Sequence, residues 1–180
     1  CFYCDFHFST SLKNKGAMLA AIQQELILRK NELQENVQTI YFGGGTPSIL
    51  TVGEIQDLLK VIYAHYEVQA DAEITLEANP DDLNPEKIKS LAGTQINRLS
   101  IGIQSFFDED LKYMNRAHTA KEALDVLSNA KAYFENITVD LIYGIPGMTG
   151  ERWKQNLEQV FSLNIPHLSS YALTVEESTA

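Results

Sequence analysis

Thr39-Ile40-Tyr41-Phe42-Gly43-Gly44-Gly45-Thr46-Pro47 is the stretch of sequence that decides the fold class. The first four residues have high strand propensity and predict a buried strand, which the glycines and the proline end. Shortly afterwards Thr51-Val52-Gly53-Glu54 forms a capping box, and the apolar residues that follow it recur at helical spacing. This segment therefore predicts a strand, a glycine-rich turn and a helix, the repeating unit of parallel α/β proteins.

The same alternation continues on both sides of that segment. Strands are predicted at residues 39–42, 73–77, 99–103, 137–143 and 168–173, and helices at 16–34, after Thr51, after Asn84-Pro85, at 119–133 and at 151–163. The strands start on average about 32 residues apart, close to the ~31 residues per unit of a (β/α)8 barrel. A helix precedes the first of them, so we expect one more strand upstream. The sequence predicts an α/β fold, a partial (β/α)6 TIM-like barrel, with a doubly wound sheet as the alternative.

Composition limits the possible functions. The chain has 180 residues, of which 44% are hydrophobic, and we expect one domain over 1–180 that is truncated at both ends, because it starts at Cys1. Its 24 acidic and 14 basic residues give a net charge of -10, which disfavours nucleic acid as the main ligand. No long apolar run predicts a transmembrane segment. The close pair Cys1 and Cys4 is not a secreted disulfide framework, so we expect a cytoplasmic protein.

Polar residues follow the predicted strands at their carboxyl ends, where parallel sheets bind ligands. They are Cys1 and Cys4 after the expected first strand, the loop Gly43-Gly44-Gly45-Thr46, Glu77 and Asn79, Gln104 and Ser105, and Asp140. Asp140 interrupts an apolar run, and a buried carboxylate is costly without a partner. We interpret these positions together as one binding site.

Each residue also has a structural interpretation. The C-x-x-C pair is compatible with a thiol redox pair or half a zinc site, although zinc needs two further ligands. The four histidines are scattered along the chain: His7, His65, His118 and His167. The triple glycine is compatible with a simple tight turn, and Glu77 and Gln104 with ordinary loop residues. Arg116 and His118 are compatible with a solvated surface.

The motifs together resemble a known family. Cys1-Phe2-Tyr3-Cys4 resembles the last two cysteines of the C-x-x-x-C-x-x-C signature of radical S-adenosylmethionine (SAM) proteins, and Gly43-Gly44-Gly45-Thr46-Pro47-Ser48 resembles their loop for the SAM amino group. Further stretches resemble the oxygen-independent coproporphyrinogen III oxidase family, especially its haem-chaperone branch. They are Leu76-Glu77-Ala78-Asn79-Pro80, Ser100-Ile101-Gly102-Ile103-Gln104-Ser105-Phe106, Asn115-Arg116-Ala117-His118 and Asp140-Leu141-Ile142-Tyr143-Gly144-Ile145-Pro146-Gly147.

The resemblance implies a partial barrel of the radical SAM type, with a [4Fe-4S] cluster and SAM as cofactors. In that family an electron from the cluster cleaves SAM and gives a 5′-deoxyadenosyl radical. By motif match, Cys1 and Cys4 are metal ligands. The positions matched to SAM are Tyr3 through its backbone, Gly44, Gly45 and Thr46 at the amino end, and Glu77, Gln104, Arg116 and Asp140.

Two departures from the family pattern bear on function. The leading cysteine of the signature is absent ahead of Cys1, so the chain as given is not expected to hold a proper cluster. The oxidases of this family have a further cysteine at the position that Phe6 occupies in this chain, which favours the haem-chaperone branch. That branch implies a porphyrin or haem ligand, a haem-accepting protein and an electron donor as partners. A genuine oxidase, a radical SAM enzyme on another substrate and a C-x-x-C thiol protein are the alternatives.

Overall fold

The computed structural model of this chain describes residues 11–174. Cys1, Tyr3 and Cys4, to which the resemblance assigns metal and cofactor contacts, lie outside the described residues. The same holds for Phe6 and His7.

Within residues 11–174, five parallel strands form one sheet, in which each strand pairs with its neighbours in chain order. The strands are β1 (Val37–Phe42), β2 (Val68–Ala78), β3 (Arg98–Gln104), β4 (Asn136–Tyr143) and β5 (His167–Ala172). A doubly wound sheet reverses its strand order at a switch point, whereas a βα barrel adds strands in sequence. The described order is sequential and the sheet is an open half-barrel, so the predicted partial barrel is confirmed.

Helices connect the strands. They are α1 (Lys15–Leu28), α2 (Val52–His65), α3 (Pro85–Ala92), α4 (Asp108–Tyr113), α5 (Ala120–Lys131) and α6 (Gly150–Ser162). The capping box predicted at Thr51 and Glu54 is present, and so is the one at Thr119 and Glu122. None of the helices within residues 11–174 is both long enough and apolar enough to cross a membrane.

The two faces of the sheet differ in polarity. Leu99, Ile101 and Ile103 alternate along β3 and belong to the main hydrophobic core, which the helices cover. The residues that alternate with core positions are mostly polar: Tyr41, Glu73, Thr75, Glu77, Arg98, Ser100, Gln104, Asn136, Thr138, Asp140 and Ser169. Layers of apolar side chains fill the interior of an ordinary closed barrel. A polar interior face instead provides hydrogen-bonding groups for a ligand.

Element boundaries differ from the prediction in two places. The first helix ends at Leu28 instead of continuing to residue 34. Residues 28–36 are all exposed, so packing against the core does not support a longer helix. β2 starts at Val68 rather than at residue 73, and Val68 pairs with Val37 across a register irregularity. Apolar and polar residues alternate here as in a strand, but Ala70, Asp71 and Ala72 have low strand propensity, which weakens the sequence signal for this part of β2.

Candidate functional site

An open cleft of about 180 Å³ lies at the carboxyl ends of β2, β3 and β4. Its lining residues come from the loop after β1 and from these three strands: Gly45, Thr46, Pro47, Glu77, Ala78, Asn79, Ser100, Gly102, Gln104 and Asp140. Five of the residues predicted to bind the cofactor line it, namely Gly45, Thr46, Glu77, Gln104 and Asp140. The structure therefore brings together positions that are far apart in sequence.

The glycine-rich loop after β1 forms one wall of the cleft. Gly44 and Gly45 have φ of 74° and 56°, the left-handed region that glycine adopts without steric cost. The Gly44 amide donates a hydrogen bond to Glu77 Oε2 at 3.2 Å, which ties the loop to the end of β2. At Gly43 a Cβ atom would lie 2.6 Å from the Tyr41 ring, so the loop also depends on close backbone approach.

Tyr41 is part of this site, although sequence reasoning did not select it. Its hydroxyl donates a 2.7 Å hydrogen bond to Glu77 Oε1, so both carboxylate oxygens of Glu77 accept a bond from the first βα unit. Burial, followed by the hydrogen bond and the negative charge of Glu77, raises the pKa of Tyr41 to about 12. Strand alternation offered a signal, since Tyr41 falls on the polar face two residues before Gly43.

Asp140 faces the cleft from β4. Burial raises the pKa of its carboxyl to about 6, while the hydrogen bond to Ser169 counteracts this and the negative charge of Glu77 adds to it. Ser169 is the register partner of Asp140 on β5. The partner that sequence analysis required for Asp140 is therefore a neutral hydroxyl, and sequence analysis did not identify it. Asp140 and Glu77 make the cleft acidic.

The solvated-surface interpretation of Arg116 and His118 is wrong, because Arg116 is half-buried beside the cleft wall and His118 is buried. Arg116 Nη2 donates to Asn79 Oδ1 at 2.8 Å and to the Gly102 carbonyl at 2.9 Å. Arg116 thus braces two lining residues and is not itself in the lining. The His118 side chain is fully buried, and its Nε2 lies 3.0 Å from the Ile103 carbonyl. Burial, followed by the positive charge of Arg116, lowers the pKa of His118.

Gln104 ends β3 in an unusual backbone conformation. Its φ is 68°, and the register between β3 and β4 shifts between Gly102 and Gln104. A Cβ atom added at Gly102 would lie 2.8 Å from Gln104 Nε2, so the amide of Gln104 lies over Gly102. Gln104 is almost fully buried at the wall of the cleft.

The cleft supplies backbone amides, two carboxylates, a side-chain amide and hydroxyls. These groups fit a polar ligand that carries amino and hydroxyl groups, because carboxylates accept hydrogen bonds from both. Within residues 11–174 no three His, Cys, Asp or Glu side chains come together in a way that would hold a metal ion.

Comparison with known proteins identifies the family of this chain. A family model described as the radical SAM superfamily matches residues 1–160. Proteins named heme chaperone HemW are 40% identical in Lactococcus lactis and 38% identical in Escherichia coli, each over 99% of this chain. The matched regions are 47% and 48% of those relatives, so the chain spans about half the length of the curated relatives it matches.

Among solved structures, coproporphyrinogen III oxidase (HemN) from Escherichia coli is similar with a TM-score of 0.86 and 30% identity. The similarity covers 97% of this chain and 41% of that enzyme. An archaeal Elp3 from Methanocaldococcus infernus, at 17% identity and a TM-score of 0.65, shares the fold alone. The family model covers most of the chain, and the fold agrees with it: this chain belongs to the radical SAM superfamily.

Proposed function

We propose that this chain is the core domain, over residues 1–180, of a radical SAM protein of the haem-chaperone branch. The observation that carries the proposal is the polar cleft, in which the glycine-rich loop and Glu77 meet Gln104 and Asp140. The curated relatives named heme chaperone HemW support the choice of branch. Cys1 and Cys4, with a third cysteine from a longer chain, would ligate the [4Fe-4S] cluster, as thiolates do in such clusters.

The described residues fit SAM. Gly45 and Thr46 line the cleft, whereas Gly44 is not in the lining and donates its amide to Glu77. The loop of Gly44, Gly45 and Thr46 would hold the amino end of SAM, with Tyr3 contributing its backbone. The carboxylates of Glu77 and Asp140 suit the amino and ribose hydroxyl groups of such a ligand.

The remaining two predicted contacts differ in their support. Gln104 lines the cleft and offers its amide directly. Arg116 Nη2 donates to Asn79 Oδ1 and to the Gly102 carbonyl, and its position beside these two lining residues supports its predicted pairing with the SAM carboxylate. When bound, the cluster and SAM together supply one-electron cleavage chemistry, and the protein contributes binding, orientation and shielding.

Haem or a porphyrin is the second ligand of the proposal. A haem-accepting protein and an electron donor are the corresponding partners, and we place the protein in the cytoplasm. Oxidative decarboxylation of coproporphyrinogen III is the second candidate function, because the HemN structure is similar over almost the whole chain. Phe6 in place of a further cysteine, and the net charge of -10 against a tetracarboxylate substrate, favour the chaperone.

The test uses the full-length protein with its cluster reconstituted under anaerobic, reducing conditions. Addition of SAM and coproporphyrinogen III is expected to give no decarboxylated product, while a parallel titration with haem is expected to give a saturable change in absorbance. Decarboxylated product would make the protein an oxidase. A Cys4→Ala variant is expected to remain colourless after addition of iron and sulfide, and a brown product from this variant would contradict the assignment of Cys4.

The SAM site has its own test. Glu77→Ala and Asp140→Ala are expected to weaken SAM binding by roughly tenfold each, the effect of losing one or two charge-assisted hydrogen bonds, and to leave the absorbance of the cluster unchanged. Asp71→Ala is a matched control, because Asp71 is an exposed carboxylate in the first part of β2. Calorimetric SAM affinities equal to that of the unmodified protein would remove Glu77 and Asp140 from the site.

A further inference from the structure

The chain reverses tightly where β3 ends. The amide of Ser105 donates to the carbonyl of Ile103 at 2.9 Å, and Gln104 between them has φ of 68°. A hydrogen bond across three residues with a positive φ at the centre is a γ-turn of the rare, strained kind. Strain of this kind persists only where surrounding groups impose it. The neighbouring residues should therefore include the groups that hold Gln104 in this conformation.

A buried cluster of polar side chains surrounds the residues that follow Gln104. Asn156 Oδ1 accepts a 2.7 Å hydrogen bond from the Phe106 amide, and Asn156 Nδ2 donates to Ser105 Oγ at 3.3 Å. Ser105 Oγ donates to Asp110 Oδ2 at 2.7 Å and accepts from the Phe107 amide at 3.2 Å. Asn156 and Ser105 are completely buried, so each of these bonds is shielded from water.

Arg152 closes this cluster from α6. Its Nη1 donates to Asp110 Oδ1 at 3.0 Å, and its Nη2 donates to Glu109 Oε2 at 2.7 Å. Its guanidinium carbon also lies 5.3 Å from the centre of the Phe107 ring. Asp110 is almost fully buried, and Arg152 supplies the opposite charge that makes its burial tolerable. Side chains of helix α6 thus form hydrogen bonds and an ion pair with the segment that directly follows Gln104.

We propose that Asn156 and Ser105 are positioning residues for the cofactor cleft, which hold the strained turn so that the Gln104 amide lies over Gly102 at the cleft wall. The two residues act through Gln104 and are not themselves in the lining. Because α6 lies between β4 and β5 in the chain, they couple the later part of the half-barrel to the ligand-binding end of β3. This inference rests on the proposed function, in which the cleft binds SAM.

A double-mutant cycle on the full-length, cluster-reconstituted protein tests the proposal, with the dissociation constant for SAM measured by calorimetry. Asn156→Ala and Gln104→Ala are each expected to weaken SAM binding by roughly tenfold. If Asn156 acts through Gln104, the double variant should bind no more weakly than Gln104→Ala alone. Multiplicative effects of the two substitutions would overturn the proposal, because Asn156 would then act by another route.

Asn97→Ala is the matched control. Like Asn156, Asn97 is an asparagine whose side chain forms hydrogen bonds with the backbone of another segment. It accepts from the Ile74 amide and donates to the Ala72 carbonyl, both at 2.8 Å. It lies at the opposite end of β3, ahead of Arg98. This variant is expected to melt at a lower temperature and to bind SAM with unchanged affinity. Equal losses of SAM affinity in Asn97→Ala and Asn156→Ala would reveal general destabilisation and would overturn positioning.

The cycle also separates this inference from the function on which it rests. An unmodified protein that fails to bind SAM refutes the proposed function. A protein that binds SAM, loses affinity in Gln104→Ala and keeps it in Asn156→Ala retains that function and overturns the positioning role. If Asn156→Ala does not fold, Ser105→Ala takes its place in the cycle, since it removes the shared hydroxyl and leaves the Asp110–Arg152 ion pair. The expected non-additivity is the same.

Discussion

Asp140 is held in a position where a charged carboxylate is disfavoured. It follows the buried Val139 and precedes the buried Leu141, and its polar support is the Ser169 hydroxyl. Burial and the nearby Glu77 carboxylate raise its pKa from 3.8 to about 6. The folded protein therefore takes up a proton more readily than the unfolded chain between about pH 4 and 6.

The sign of the resulting pH dependence follows from that difference. The favourable contribution of Asp140 to stability is fully present below about pH 4 and is lost as the pH rises through about 6. Asp140→Asn should remove this loss of stability. At pH 7.5 the variant is expected to be more stable than the unmodified protein by roughly 1–3 kcal/mol, since one pKa unit corresponds to ~1.4 kcal/mol. The lower end of this range allows for the partial access of Asp140 to water.

Urea unfolding of the cluster-free, full-length protein at pH 4 and pH 7.5 measures this effect. The free energies of unfolding of the two proteins should coincide at pH 4 and separate at pH 7.5. A constant difference at both pH values would show that the Asp140 carboxyl has an ordinary pKa in the folded state.

At the residue scale, the sequence alone identifies site residues whose amino-acid type is unusual for the predicted element in which they lie. Asp140 interrupts an apolar strand, and Gly44 and Gly45 follow one, so each is conspicuous in the sequence alone. Tyr41 and Ser169 are ordinary residues for a strand. Strand alternation places Tyr41 on the polar face, but the side chains that contact Tyr41 and Ser169 across the sheet can be identified only when strand order and register are known.

Single elements were predictable to the extent that local chemistry determines them. The Thr51 and Thr119 capping boxes form as expected, because a hydroxyl, a backbone amide and a carboxylate three residues later are sufficient. The end of α1 was not predictable from apolar spacing, since Leu28 and Leu33 are exposed. The turn at Gln104 gave no sequence signal, because long-range contacts with α6 hold a residue there that does not ordinarily favour positive φ.

Gly102 provides the prediction at the scale of the element. A Cβ atom there would meet Gln104 Nε2 at 2.8 Å, the flexible end of a side chain, whereas the next nearest atom would be Asn79 Oδ1 at 3.6 Å. Gly102→Ala should therefore fold, displace the Gln104 amide and weaken SAM binding by roughly tenfold, the effect of one lost polar contact in a buried site. Calorimetry with SAM and a thermal melt measure the two effects separately.

Gly53→Ala is the matched control for Gly102→Ala. Gly53 lies in the first turn of α2, and a Cβ atom there would only reach Thr51 Oγ1 at 4.0 Å. Alanine has the higher helix propensity, so this variant is expected to be at least as stable as the unmodified protein and to bind SAM equally well. Unchanged SAM affinity in Gly102→Ala would show that the Gln104 amide does not contribute to binding from its place over Gly102.

At the scale of the whole molecule, the polar face of the half-barrel contains two layers. The cleft lies at the carboxyl ends of the strands, and Arg98 organises the layer nearer their amino ends. Its guanidinium donates to Thr75 Oγ1 on β2 at 3.1 Å and to Thr138 Oγ1 on β4 at 2.6 Å, and lies 3.5 Å from Glu73 Oε1. A single side chain thus joins three neighbouring strands beneath the cleft.

The charge of Arg98 also affects a residue that lines the cleft. Its positive charge lowers the pKa of Asp140 and so offsets part of the effect of burial. Arg98→Met should therefore have two consequences. It should reduce the free energy of unfolding by about 2–4 kcal/mol, because two threonine hydroxyls and Glu73 lose a charged partner. It should also raise the pKa of Asp140 further above its ordinary value.

Arg98→Lys separates the two consequences. A lysine keeps the positive charge but lacks the planar fork that reaches both threonines, so it should lose stability while leaving the pKa of Asp140 close to its value in the unmodified protein. Urea unfolding as a function of pH, with and without Asp140→Asn in each background, isolates the contribution of Asp140. The pH at which half of this contribution is lost should be higher in Arg98→Met than in the unmodified protein, and should be unchanged in Arg98→Lys. Equal midpoints in both variants would mean that the layer around Arg98 stabilises the barrel without tuning the cleft above it.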